Sequence, residues 1–310
     1  RQGIALCLSG GGFRAALFHL GALRRLEELE ILEKLWTISS VSGGAIAAAH
    51  LATTISWPIV ERMPDWEDRV AVPFRAFAHA TIRPRVARSP LLPWNWLRSA
   101  AVERLGELFE RRLTSLRFRE LPAFPNFVFP GLNPPSSPVS RAIAETALVA
   151  GPVADHLAVE PVWRNHETLL ISDGGSLFAS EAFMEREARM LGKRWLIASF
   201  KTDVMKGAYW GIASARSRYD RADRLGYTKD LAQMVISAMP TDLDALSEAE
   251  AAVLENHGYL LADAAVETHV PDVAARPVPP LAVPHPDWMD ERRVRKALTE
   301  SRRRPAREHW

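Results

Sequence analysis

The chain has 310 residues, 47% hydrophobic and 25% charged, which is the balance of a soluble protein with a sizeable buried core. A net charge of +2 offers no strong field for nucleic acid, and the single cysteine, Cys7, excludes both an internal disulfide and a cysteine-based zinc cage, suiting a reducing, cytoplasmic setting. No run of about 18 uncharged apolar residues is present, so no bilayer span is expected, while contact with a membrane surface stays open. The chain opens at Arg1 rather than Met and reads as trimmed, with any targeting segment outside it.

In chain order, Gly3–Leu8 is a short apolar run stopped by Ser9-Gly10-Gly11-Gly12. Apolar residues then recur at helical spacing through Phe13, Leu17, Leu20, Leu23 and Leu26. A second run, Trp36–Ser40, meets Ser42-Gly43-Gly44 and an Ala-rich helix through Ala52. Two strand–turn–helix units within about 50 residues predict a mainly parallel sheet with crossover helices. Residues 55–98 are rich in Trp, Pro and Arg with weak periodicity. Beyond them a helix is expected at Ala101–Leu113, a strand at Phe127–Phe129, a Pro/Ser break at Pro130–Pro138 and a helix at Val139–Ala147. Buried strands are expected at Thr168–Ser172 and Trp195–Ser199. A late helix follows at Ser247–Val266, opened by a Ser247/Glu250 capping box. Pro271–Pro286, with six prolines, reads as an extended strap, and the tail from Glu291 as a basic, solvated helix with a frayed end.

Two motifs carry chemistry. In Ser40-Val41-Ser42-Gly43-Gly44, a serine between a strand and a helix has its Oγ lifted clear of the sheet, and small neighbours let the turn close. Ser40 stands where the usual pattern has its first glycine. The following helix start adds free N–H groups and a favourable dipole where negative charge develops. In Gly10-Gly11-Gly12-Phe13-Arg14 the glycines let the backbone approach an oxyanion closely, each well-placed N–H being worth about 3 kcal/mol to a transition state. A nucleotide-phosphate loop is disfavoured, since neither G-K-[S/T] nor a full G-x-G-x-x-G is present. Arg14 reads either as a solvated helix residue or as a charge steadying the loop. Either motif alone is as well explained by a plain turn or helix cap. Together they place two strand ends at one sheet edge, where open α/β sheets hold their sites.

The runs LCLSGGGFRAALFHLGAL and ISSVSGGAIAAAHLA resemble the two N-terminal signatures of bacterial patatin-like phospholipases. LLPWNWLRSAAVE, ADHLAVEPVW, GAYWGI and LSEAEAAVLENHGYLLADAAV are similar to further segments of that family. The resemblance implies a three-layer αβα fold and hydrolysis of phospholipid or other lipid acyl esters. It also implies a Ser–Asp dyad without histidine, an oxyanion hole at Gly10, Gly11 and Gly12 with Arg14 and Gly43 alongside, and neither metal nor cofactor. The expected organisation is a catalytic domain at 1–270, with the insertion at 55–98, followed by the strap and basic tail at 271–310.

The family's catalytic aspartate stands in D-G-G or D-G-A shortly before a run like ADHLAVEPVW, and Ala150 occupies that register here. A literal D-G-G occurs at Asp173-Gly174-Gly175, one strand later in the family register, and Asp155 is a third candidate. The stretch from Phe129 to Ala150 is also shorter than the family's. The catalytic pair expected here is Ser42 with Asp173. The rival expectation is a silent lipid-binding or scaffold protein that has lost its base, and a non-lipid esterase is a third reading.

Leu91, Leu92, Trp94, Trp96 and Leu97 lie among Arg83, Arg85, Arg88 and Arg98, a composition that suits either a lipid-contacting lid or core packing. His19 and His156 invite a Ser–His–Asp triad, but a structural role is the expected one. His257 and His285 show no metal-ligand spacing. Oligomeric state is not legible in the sequence.

Overall fold

The structure is a computed structural model. It describes residues 1–59, 63, 65–79, 122, 124–129, 155–175, 194, 196–200, 202, 204–219, 225–240 and 245–303, without side chains for 301–303. The tryptophan cluster around Trp94 and Trp96, the helices expected at 101–113 and 139–147, the Pro/Ser break and Ala150 lie outside the described residues.

Five strands, β1 (Ile4–Leu8), β2 (Leu35–Ser40), β3 (Asn126–Val128), β4 (Thr168–Asp173) and β5 (Lys206–Gly211), form an all-parallel sheet in the order β3-β2-β1-β4-β5. From β1 the chain steps to β2 and β3 on one side, then returns to lay β4 and β5 on the other. The order therefore reverses at β1. Open α/β sheets form a crevice at such a point, outside the carboxyl ends of the strands. Register brings those ends level: Leu8 pairs with Ser40 on one side and with Ser172 on the other.

Alternation along β1 and β4 sorts their side chains between two faces. Leu6, Leu8 and Leu170 join Trp210 and the main helices in one core, while Ala5, Cys7, Leu169 and Ile171 pack on Leu157, Val159, Val162 and Leu196 in the other. The first layer comprises α1 (Gly12–Glu28), α2 (Gly43–Thr54), α3 (Val72–Ala78) and α4 (Glu248–His269). The second, as far as it is described, is the turn-rich stretch 155–166 and a helical segment at 196–200. This is a three-layer α/β fold.

α1 and α4 are in backbone contact. A Cβ on Gly258 would lie 1.9 Å from the Phe18 carbonyl oxygen, and one on Gly21 1.9 Å from that of Glu255. α4 starts with the expected capping box, the Ser247 hydroxyl accepting from the Glu250 N–H while the Glu250 carboxylate accepts from the Ser247 N–H.

One expected strand is corrected. Residues 196–200, within and just beyond Trp195–Ser199, are helical, and the next strand is β5, in the GAYWGI segment. The strap is clasped to α1 and α4. Arg25 donates to the carbonyls of Pro279 and Pro280, Ala275 N–H to Leu29, and Asn256 exchanges two hydrogen bonds with the His285 backbone. The tail is helix α5 (Glu291–Arg303), which seats Val294 and Leu298 in the main core.

Candidate active site

Ser42 ends the turn after β2 and caps α2, with φ 49° and ψ −121°. A positive φ is unfavourable for any residue bearing a Cβ, by about 1–3 kcal/mol, and here it turns the chain abruptly from strand into helix. The turn is locked from β1: Val41 N–H donates to Leu8 O (3.1 Å) and Gly44 N–H to Ser9 O (3.0 Å). Glycine is required beside it, because a Cβ on Gly43 would stand 2.2 Å from Gly12 O and one on Gly44 2.3 Å from Leu8 O. Ser42 itself is partly exposed within this buried surround.

The triglycine bend lies against the same serine. A Cβ on Gly10 would approach Ser42 Cβ to 3.1 Å and Ser42 Oγ to 3.8 Å. Gly11 and Gly12 have φ of 140° and 60°, so the bend relies on residues that tolerate the left-handed half of the map. Gly10 N–H is committed to His156 O (3.2 Å). Among the described residues, the amides of Gly11, Gly12 and Gly43 have no acceptor. The first turns of α1 and α2 contain no acidic residue, so no carboxylate within them offsets the partial positive charge of either helix start.

Arg14 is buried. Its guanidinium donates to the carbonyls of Ser237 (2.9 Å), Met239 (2.7 Å) and Gly174 (3.1 Å). It thus ties the start of α1 to the turn after β4 and to the segment after residue 236, the loop-steadying role open in the sequence. Burial lowers its pKa to about 10, opposed by the charge of Asp173, and it stays protonated at neutral pH.

Asp173 ends β4, beside β1 and two strand positions from β2, and the turn that follows it lies against the bend, a Cβ on Gly175 coming to 3.0 Å from Gly10 O. Strand spacing of about 4.8 Å puts β4 roughly 10 Å from β2. Its carboxylate accepts from Tyr209 Oη (2.6 Å) and Gly175 N–H (3.1 Å), with His156 Nε2 3.5 Å away. No hydrogen bond joins it to Ser42 among the described residues. Gly175 N–H also donates to Ser9 Oγ (3.2 Å), fastening the D-G-G turn to the end of β1. Asp155 instead accepts from the Glu160 N–H (2.6 Å), closing a local turn.

His19 lies fully buried beneath the bend. Its Nε2–H donates to Ser9 O (3.0 Å) and its Nδ1 accepts from Ser172 Oγ (2.7 Å), bridging β1 and β4 as a neutral imidazole. Burial pushes its pKa down to about 4. His257 holds Ile212 O (2.9 Å) under the same desolvation, and its pKa is also about 4. Both are structural histidines. Tyr209, the hydrogen-bond partner of the candidate Asp173, is a residue that sequence reasoning missed, since its segment carried no recognised strand pattern. Among the described residues no group of His, Cys, Asp or Glu could hold a metal ion, and no helix is long and apolar enough to cross a membrane.

The family model for patatin-like phospholipases matches residues 6–179, a span that takes in the triglycine bend, the serine turn and the D-G-G turn and covers more than half of the sequence. The chain belongs to the patatin-like phospholipase family. No curated protein and no solved structure matches it.

Proposed function

We propose that the protein is a serine-dependent lipid acyl hydrolase in which Ser42 is the nucleophile and the amides of Gly11, Gly12 and Gly43 receive the oxyanion. The observation that carries this reading is the arrangement at one point of the sheet edge: a positive-φ serine, two helix N-termini and three amides without an acceptor among the described residues. Ser42 Oγ attacks the acyl carbonyl carbon, its proton passes to a base, and the carbonyl oxygen becomes an anion facing the amides. The tetrahedral intermediate expels the lipid alcohol, which takes up the proton, and water then frees the fatty acid from Ser42. Gly10 contributes shape rather than a donor, its N–H being held by His156. Arg14 contributes rigidity.

Asp173 is the proposed base, reached through one water. A direct bond of 2.6–3.2 Å is what a general base ordinarily needs, and a carboxylate two strand positions away meets that need through a relay. The same separation, with Tyr209 and Gly175 already bonded to the carboxylate, favours a second reading in which the site binds lipid and turns it over very slowly.

Turnover of phospholipid and of a soluble short-chain ester by the full chain, Ser42→Ala and Asp173→Asn distinguishes the two. The hydrolase reading expects Ser42→Ala to abolish turnover and Asp173→Asn to lower kcat about 100-fold or more. No turnover above Ser42→Ala by the unaltered chain establishes the silent reading. A soluble ester preferred over phospholipid would move the substrate class away from lipids.

A further inference from the structure

The sequence has a net charge of only +2, yet α5 alone holds six basic and two acidic residues, so the rest of the chain is net negative. The helix is two-sided. Val294 and Leu298 are buried, while Arg292, Arg293 and Lys296 are exposed. Glu291 is occupied by the backbone and hydroxyl of Thr228, and Arg295 is paired with Asp230. The outward face therefore carries three exposed cations, with the exposed acids Asp287 and Asp290 just before the helix and Glu300 one turn after Lys296. Arg293 stacks on the Trp288 ring, 4.3 Å from its centroid, so one cation sits on a half-buried indole.

Two contacts tie this face to the candidate active site. The pairs Thr228–Glu291 and Asp230–Arg295 run α5 in the same sense as the helical segment Lys229–Leu231 and its continuation Ala232–Ile236, against which it packs. That continuation exposes Met234 at 65%. Three and five residues later, the Ser237 and Met239 carbonyls are held by Arg14 at the start of α1. The segment that packs on α5 and exposes Met234 is thus the one whose continuation Arg14 holds at the start of α1.

We propose that the outer face of α5, with Met234 and Trp288, docks the protein on anionic phospholipid bilayers and holds the crevice at the lipid surface. The lipid hydrolase reading supplies the choice of occupant. The surface itself carries the two features that an anionic interface selects, cations that attract headgroups and apolar side chains that enter the headgroup boundary.

The test is co-sedimentation of the 310-residue chain with vesicles of phosphatidylcholine alone or mixed with phosphatidylglycerol, at low and high salt. Binding is expected only to the mixed vesicles and is expected to weaken as salt rises. Arg292→Glu/Lys296→Glu, which leaves the Arg293–Trp288 stack in place, should weaken it about ten-fold. Met234→Ser should weaken it at both salt concentrations. A melting temperature matching the unaltered chain guards against misfolding, and turnover of a soluble ester should stay unchanged in both variants. Ser42→Ala must still bind vesicles, so loss of hydrolysis and loss of docking are read separately. Equal binding to both vesicle types, undiminished binding by the charge-reversed variant, or binding to duplex DNA in place of vesicles overturns the proposal.

Discussion

Ser42 holds a backbone conformation that a residue with a Cβ adopts only when its surroundings impose it, and the surroundings here are two glycines and a strand end. The turn stores strain that glycine would not feel. Ser42→Gly is accordingly expected to be about 1 kcal/mol more stable than Ser42→Ala, both lacking the hydroxyl, as measured by urea unfolding. Equal stability would mean that the positive φ costs nothing. The serine and triglycine motifs were legible in the sequence because the two occur together, each between a short apolar strand and a helix, although either alone would read as a plain turn or cap. The partners of Asp173 were not legible. Which strand lies beside β1 is decided by a long-range return of the chain, and no local spacing records that β4 pairs on the side opposite β2.

Among the elements, the first two strand–turn–helix units follow the sequence reading within a few residues, because turn glycines and capping residues mark their ends. Residues 196–200 show where such reading fails. The run Trp-Leu-Ile-Ala-Ser-Phe is apolar but for its serine, and a short run of this kind fits a buried strand and one side of a helix equally well. The true strand β5 begins with Lys206-Gly207 and ends with Gly211, which reads as loop. Its signal was the Tyr209-Trp210 pair. The α1–α4 contact yields a sharper expectation. Alanine ordinarily favours a helix over glycine by about 1 kcal/mol, but at Gly258 the added methyl would meet a carbonyl oxygen at 1.9 Å. Overpacking of about 1–3 kcal/mol or more outweighs that gain, so Gly258→Ala should lower stability on thermal unfolding. A stabilised variant would show that the two helices can separate freely.

For the molecule as a whole, buried neutral histidines link stability to pH. His19 and His257 have folded-state pKa values of about 4 against an ordinary 6.5, with burial the leading cause, and His50 is shifted in the same direction. Between those values the unfolded chain binds protons that the folded one refuses. Stability is therefore fully present above about pH 6.5 and falls as pH drops toward 4. At about 1.4 kcal/mol per unit, His19 and His257 each contribute on the order of 3 kcal/mol to that loss. Urea midpoints between pH 7 and pH 4.5 should fall, and His257→Gln should fall less steeply than the unaltered chain. Parallel slopes would contradict a neutral buried His257. The three-layer architecture and the family were both legible before any coordinates, since the two N-terminal motifs lie at the centre of the sheet and dominate the fold.

The most direct test of the account is covalent. The 310-residue chain is treated with a lipid-like fluorophosphonate, its intact mass is measured, and the modified peptide is mapped. One adduct per chain on Ser42, absent from Ser42→Ala, is expected from a hydroxyl activated at the meeting of two helix N-termini. A folded chain that stays unmodified, or that is labelled at a residue other than Ser42, would contradict it.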